Sequence, residues 1–179
     1  KGCVSAMAAG VVINPTGLWK ELQNLSELTT VKPQNLWISA RAHVITPWHI
    51  FLDGKAESST DAPIGTTKRG IGPAYAEKAG RTSLRMGHFV DRAARTAWLE
   101  KMRSSNSDLD EHYRDHRGEW EEFEKFAEQL APFVCDVETK LRKEIYAGKK
   151  ILLEGAQGAL LDLDHGTYPF VTSSSTSAS

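Results

Sequence analysis

Twice within the first fifty residues a short apolar run stops at a proline and hands over to residues at helical spacing. Gly10-Val11-Val12-Ile13 is β-branched and has the length of a buried strand; Pro15 breaks it. Thr16 is placed to cap a helix whose apolar positions are Leu18, Trp19, Leu22 and Leu25. After a turn around Pro33, Leu36-Trp37-Ile38-Ser39 makes a second strand, which Val44-Ile45 extends or follows. Pro47 then suits the first turn of a helix through Trp48, Ile50, Phe51 and Leu52. Strand-then-helix alternation restricts the chain to the α/β class, with a mostly parallel sheet flanked by helices.

From Phe89 to Gly148 the pattern changes. Asp91 to Met102 and Leu109 to Tyr146 read as helices. In the second, Trp120, Phe123, Phe126, Leu130, Phe133, Val134, Val137, Leu141 and Ile145 recur every three or four positions between charged residues. Such a stripe is a packing face, and Pro132 should kink or split the helix that carries it. Residues 89–148 are therefore expected to be a helical insertion serving as scaffold. His112 and His116 have the i,i+4 spacing of a metal pair, but no third ligand is evident beside them.

Composition excludes several classes. A net charge of −1 and a pI near 6.7 over 179 residues supply no broad field for nucleic acid or a membrane surface. The two cysteines, Cys3 and Cys135, are far apart and suggest neither a disulfide framework nor a zinc knuckle. No apolar run approaches the roughly 18 residues that span a bilayer, and the opening residues do not resemble a secretion signal. A cytoplasmic location is expected.

Two stretches carry the chemistry. Between Ser58 and Pro73, Gly65, Gly70 and Gly72 free the backbone, Thr66 and Thr67 offer hydroxyls, and Lys68 and Arg69 add positive charge. An anion loop and an ordinary surface turn fit this composition equally well; the spacing is not that of a Walker A loop. Lys78, Arg81 and Arg85 follow, a trio that composition alone assigns to a solvated face. Arg41 and His43, at strand ends, either reach a ligand or, more naturally, are surface or structural residues, and His49 reads as structural.

The second stretch begins at Ile151-Leu152-Leu153, which has the length of a buried strand. Gly155, Gln157 and Gly158 come next, then Asp162, Asp164 and His165, Gly166, Pro169 and the hydroxyls of Thr172, Ser173, Ser174 and Ser175. Carboxylates and hydroxyls beside glycines at a strand end are how open α/β sheets build small-molecule sites. Gln157 offers both a donor and an acceptor, the pair that reads a heterocycle edge. Asp162, Asp164 and His165 serve either as loop-fixing hydrogen-bond partners or, less naturally, as metal ligands of a hydrolase.

EGAQGALLDLDHGTYPFVTSS, from Glu154, and GTTKRGIGPAYAEKAGRTSLRMG, Gly65 to Gly87, resemble the two central signatures of the adenylosuccinate synthetases. The resemblance implies a P-loop-NTPase-like synthetase fold, here incomplete, with residues 1–179 the central part of a single domain. It implies synthesis of adenylosuccinate from IMP and L-aspartate with GTP as co-substrate, through 6-phosphoryl-IMP, on the route to AMP. Carried over by position, Thr67 and Thr172 hold the IMP phosphate, Gln157 contacts IMP and Leu161 flanks it. Arg81 reaches across a homodimer interface to the partner's IMP phosphate. The family's catalytic residues, Mg²⁺ ligands and guanine-recognition residues fall outside these positions, so the 179 residues alone are expected to be inactive. The alternative is a truncated, non-catalytic nucleotide-binding or assembly module. Ser83, His88, Ser175 and Ser179 depart from the family pattern, which has Gly, an acid, Asn and Gly there.

Overall fold

The computed structural model describes residues 3–28, 30–59 and 65–177, so Thr29, residues 60–64 of the Ser58–Pro73 loop and the departure at Ser179 lie outside the described residues. Among those described, five short strands and eight α-helices follow one another as β1 (Ser5–Met7), β2 (Val12–Ile13), α1 (Pro15–Ser26), β3 (Leu36–Ser39), β4 (His43–Val44), α2 (Pro47–Ser58), α3 (Ile71–Gly80), α4 (Met86–Val90), α5 (Arg92–Ser105), α6 (Ser107–Asp115), α7 (Arg117–Leu130), β5 (Val134–Cys135) and α8 (Val137–Tyr146). Every strand pairing is parallel. Strand β3 lies between β1 and β5, with Met7 opposite Ile38 and Ser39 opposite Cys135. Strands β2 and β4 form a second, two-stranded ladder with Ile13 opposite Val44. The α/β expectation holds, and no described helix is long and apolar enough to cross a membrane.

Local chemistry explains where the helices start. Both predicted proline starts are present, but the cap of α1 is Asn14, not Thr16: its Oδ1 accepts the Gly17 amide at 3.1 Å while Pro15 takes the first helical position. Helix α2 opens on a capping box, in which Thr46 Oγ1 accepts from the His49 amide and His49 Nδ1 accepts from the Thr46 amide. His49 is fully buried, with Nε2 3.0 Å from Glu77 Oε2 on α3, which confirms a structural role.

Residues 89–148 divide more finely than periodicity indicates. Pro132 does split the helix, and the chain then passes through a single 3-10 turn, Ala131–Phe133, into β5, which sequence spacing reads as helix. Two residues are too few to show a period of two. Asn106 caps α6 through its Oδ1, so that helix begins at Ser107, ahead of the Leu109 start that spacing indicates. The apolar stripe is core: Trp120, Phe123, Phe126, Leu130 and Val137 are buried, whereas Ile145 at the end of α8 is exposed. Trp120 and Phe123 meet edge to face at 5.8 Å, and Phe89 packs on Phe123 at 4.8 Å. Helix α7 presses this stripe against α1 and α4, and Ile38 and Val44 of the strands join the same core.

One expected strand is absent. Ile151-Leu152-Leu153 has no ladder partner among the described residues, and Leu152 and Leu153 are 91% and 81% exposed. Strand composition alone does not make a strand, because its amides and carbonyls need a neighbouring edge.

The contrast between the two apolar segments is measurable by denaturant titration. Ile38→Ala, at a fully buried position of the central strand, should lower unfolding free energy by about 2–5 kcal/mol. Leu152→Ala should stay within about 0.5 kcal/mol of the parent.

Candidate functional site

The glycine-rich loop ends on a backbone joint. Gly70 has φ +78°, and its amide donates to the buried Asp53 carboxylate at 2.8 Å. A Cβ at Gly70 would fall 2.9 Å from the His49 backbone, so α2 itself requires glycine there. Upstream, the Gly65 amide donates to Glu57 Oε1 at 2.7 Å. Two carboxylates of α2 thus hold the loop on which Thr66, Thr67, Lys68 and Arg69 are exposed. Sequence reading overlooked Asp53; its signal was an acid four residues after His49, on the buried face of a helix recognised by its apolar spacing.

Helix α3 carries the site onward. Lys78, grouped by composition with solvated cations, is half-buried and donates its ammonium to the Gly10 carbonyl at 2.6 Å; burial lowers its pKa. Arg81 is exposed and caps the helix in the left-handed region at φ +64°. Ten helical residues at about 1.5 Å each separate the two ends of α3, so Arg81 sits roughly 15 Å from the glycine loop. His43 is buried in β4 with its Nδ1 2.5 Å from Ser83 Oγ, which favours the structural over the surface reading, and burial followed by Lys78 and Arg85 lowers its pKa.

The block from Glu154 to Ser177 is irregular, with one 3-10 turn at Ala159–Leu161. Its organiser is Asp162, 1% exposed. Oδ1 accepts the amides of Asp164 and His165 at 3.0 and 3.1 Å; Oδ2 accepts the Thr176 amide at 2.6 Å, the Ser175 hydroxyl at 3.1 Å and the Ser177 amide at 3.3 Å. These bonds, the Thr176 amide foremost, hold the carboxyl far below the ordinary aspartate range. Gly166 makes the turn beneath: a Cβ there would collide with the carbonyls of Leu160 and Asp162. The loop-fixing reading of Asp162 is correct, and its oxygens are too fully engaged to ligate a metal.

This clamp folds the strip back on itself. The Thr172 amide donates to the Leu161 carbonyl at 2.8 Å, and Thr176 Oγ1 donates to Gly158 O at 3.1 Å, beside Gln157. Leu161, Thr172 and Gln157 therefore belong to one loop, with Thr172 half-buried and Gln157 exposed. A Cβ on Gly72 would lie 3.4 Å from Ser173 Oγ, so the residue after Thr172 rests on the first turn of α3. The structure thereby joins the 155–176 loop to the helix that follows Thr67, and leaves Arg81 at the far end. Among the described residues, the non-glycine residues with positive φ are Lys68, Arg81 and Gln157, each at or beside a site position.

Asp162→Asn should make the 155–176 loop markedly more sensitive to limited proteolysis, because the amide group confronts backbone N–H donors with another donor. A carboxyl whose folded pKa is depressed contributes stability that is complete above its unfolded pKa, about 3.9, and is lost as pH falls below it. The acid limb of the parent's stability profile should be shallower in Asp162→Asn. Gly166→Ala should reproduce the proteolytic sensitivity without changing that limb.

Comparison with known proteins follows this geometry closely. The family profile described as adenylosuccinate synthetase matches residues 1–179. The synthetase of Leuconostoc mesenteroides is 42% identical over 99% of this chain and 43% of its own length; that of Chlorobaculum tepidum is 42% identical over 97% and 42%. The fully ligated adenylosuccinate synthetase of Plasmodium falciparum superposes with a TM-score of 0.85 at 31% identity, covering 98% of this chain and 42% of that one. A cyanophage S-2L succinoaminodeoxyadenylate synthetase shares the fold, with a TM-score of 0.58 at 23% identity. The chain spans well under half the length of these relatives, yet the match runs across nearly all of it. The chain belongs to the adenylosuccinate synthetase family.

Proposed function

We propose that these residues form the IMP-anchoring part of an enzyme that makes adenylosuccinate from IMP and L-aspartate with GTP. The observation that carries this reading is the approach of Ser173 to Gly72, which sets the Thr172 loop against the helix that follows Thr67. Thr67 and Thr172 donate hydroxyls to the IMP phosphate, Gln157 reads the base edge and Leu161 flanks the nucleotide. Lys68 and Gln157 have left-handed backbone beside these positions, a conformation from which successive amides build anion-binding concavities. Arg81, remote from that loop along α3, serves the equivalent phosphate in a second copy of the chain, where its planar guanidinium forms two parallel hydrogen bonds.

In the reaction, GTP phosphorylates the 6-oxygen of IMP and the aspartate amino group then displaces phosphate from that carbon. The family's Mg²⁺ would neutralise nucleotide phosphates, but the carboxylates of this loop do not fit it. Asp162 is saturated by hydrogen bonds, and no step is assigned to a metal held here. What these residues contribute is fixed orientation of IMP, so that binding energy away from C6 is available to position the reacting carbon. The enzyme is expected to act in the cytoplasm.

Calorimetric titration with IMP tests the anchoring roles. Thr172→Ala and Arg81→Ala should each weaken binding by about 10- to 100-fold, the loss expected for a hydrogen bond to a charged group. Unchanged affinity in both would overturn the assignment. In the complete enzyme, Arg81→Ala and Thr172→Ala subunits, inactive separately, should on mixing regain about a quarter of the unsubstituted turnover, since half of the dimers then hold one intact site. No recovery would place Arg81 within its own subunit's site.

A further inference from the structure

Away from the nucleotide loops, the corner between α6 and α7 gathers imidazoles and carboxylates that the proposed reaction does not use. The i,i+4 pair alone lacks a third ligand; the helix break at His116 supplies it. His116 leaves helical geometry (φ −113°, ψ +35°), and α7 restarts at Arg117 with Glu119 in its first turn. Glu119 Oε1 comes to 3.2 Å from His116 Nδ1, while the rings of His112 and His116 stack with centroids 4.4 Å apart and planes 20° apart. One ligand atom from each of His112, His116 and Glu119 lies within 4.8 Å of the other two. That separation needs only side-chain rotation to converge on one ion.

We propose that His112, His116 and Glu119 form a binding site for a divalent transition metal of the zinc type. Two imidazoles and one carboxylate are the donor set that zinc accepts, with a fourth position left to water; magnesium prefers oxygen ligands alone. The site opens into a cleft of about 320 Å³ in which Asp108, Glu111 and Asp115 add negative charge close to the imidazoles. Phe51 of α2 walls the other side, 4.7 Å from the His112 ring. His112 is buried, and that burial, followed by the neighbouring His116, lowers its pKa.

The hydrogen bond from Trp120 Nε1 to His112 Nδ1, 3.3 Å long, provides a reporter. Metal at Nδ1 takes the lone pair that accepts it; metal at Nε2 moves the ring proton to Nδ1, which then no longer accepts. Either mode deprives the buried indole N–H of its partner, so metal binding changes tryptophan emission.

The untagged protein is titrated with ZnCl₂ in a non-chelating buffer, following emission and, by equilibrium dialysis, stoichiometry. The expected result is one saturable equivalent of Zn²⁺, an emission change that tracks it, and no competition from excess Mg²⁺. His116→Ala and Glu119→Gln, both at exposed positions where folding is not at risk, should each weaken binding by about tenfold or more. Cys3→Ser, which removes the exposed thiol, should bind as the parent does. Absence of a saturable equivalent, parent-like affinity in His116→Ala and Glu119→Gln, or loss of binding in Cys3→Ser instead would overturn the proposal.

Discussion

A single carboxylate sets the geometry of the candidate site. Asp162 accepts bonds from two separate downstream segments, two donors just after it and three more than ten positions later. Charge-assisted bonds of this kind are stronger than neutral ones, and several converging on one buried group fix the backbone in one arrangement. Thr172 and Gln157 inherit their positions from it, because each lies in a segment that Asp162 or its partner Thr176 ties down. The same saturation decides a chemical question: an oxygen already accepting two or three donors has no lone pair to offer a cation. A cluster of acids and a histidine in sequence was thereby a clamp in space.

Some of this was legible and some was not, for reasons that can be named. Helices α1 and α2 were readable because a proline at the start and the apolar spacing after it agreed. Strands β1 and β5 were not, since three and two residues carry no periodicity and are strands only through pairing with β3. Residues 151–153 failed in the opposite sense: their composition is that of a strand, but pairing is a property of the neighbour, and no described segment supplies one. Site residues Thr67, Arg81, Gln157 and Thr172 rested on resemblance, because hydroxyls and amides near glycines are common. Asp53 and Glu119 were hidden for a shared reason. Each acts on a partner that a helix start or break brings round, and neither sequence distance nor residue type announces it.

Backbone strain adds an independent mark on the same places. A non-glycine residue in the left-handed region costs on the order of 1 kcal/mol relative to ordinary helix or strand geometry. Lys68, Arg81 and Gln157 bear that cost beside Thr67, at the end of α3 and in the second loop. At Arg81 the position is a helix C-terminus that glycine would satisfy without strain. An arginine there forgoes the cap that costs least.

The 151–176 block also shows what kind of order a binding loop can have. Its aliphatic and aromatic residues, Leu152, Leu153, Leu160, Tyr168 and Phe170 among them, face outward, so apolar burial does little to hold it. What holds it is a skeleton of backbone bonds closed on Asp162 and a glycine that admits no side chain at 166. Each such bond contributes only about 1 kcal/mol net, so the loop is defined by their number and convergence, not by the strength of any one. That makes the block locally fragile and geometrically specific at once. Loss of the central acceptor strands several donors together, whereas trimming an outward-facing leucine leaves the skeleton unchanged. A core-supported segment behaves in reverse: Ile38 matters through its volume, and Asp162 matters through its lone pairs.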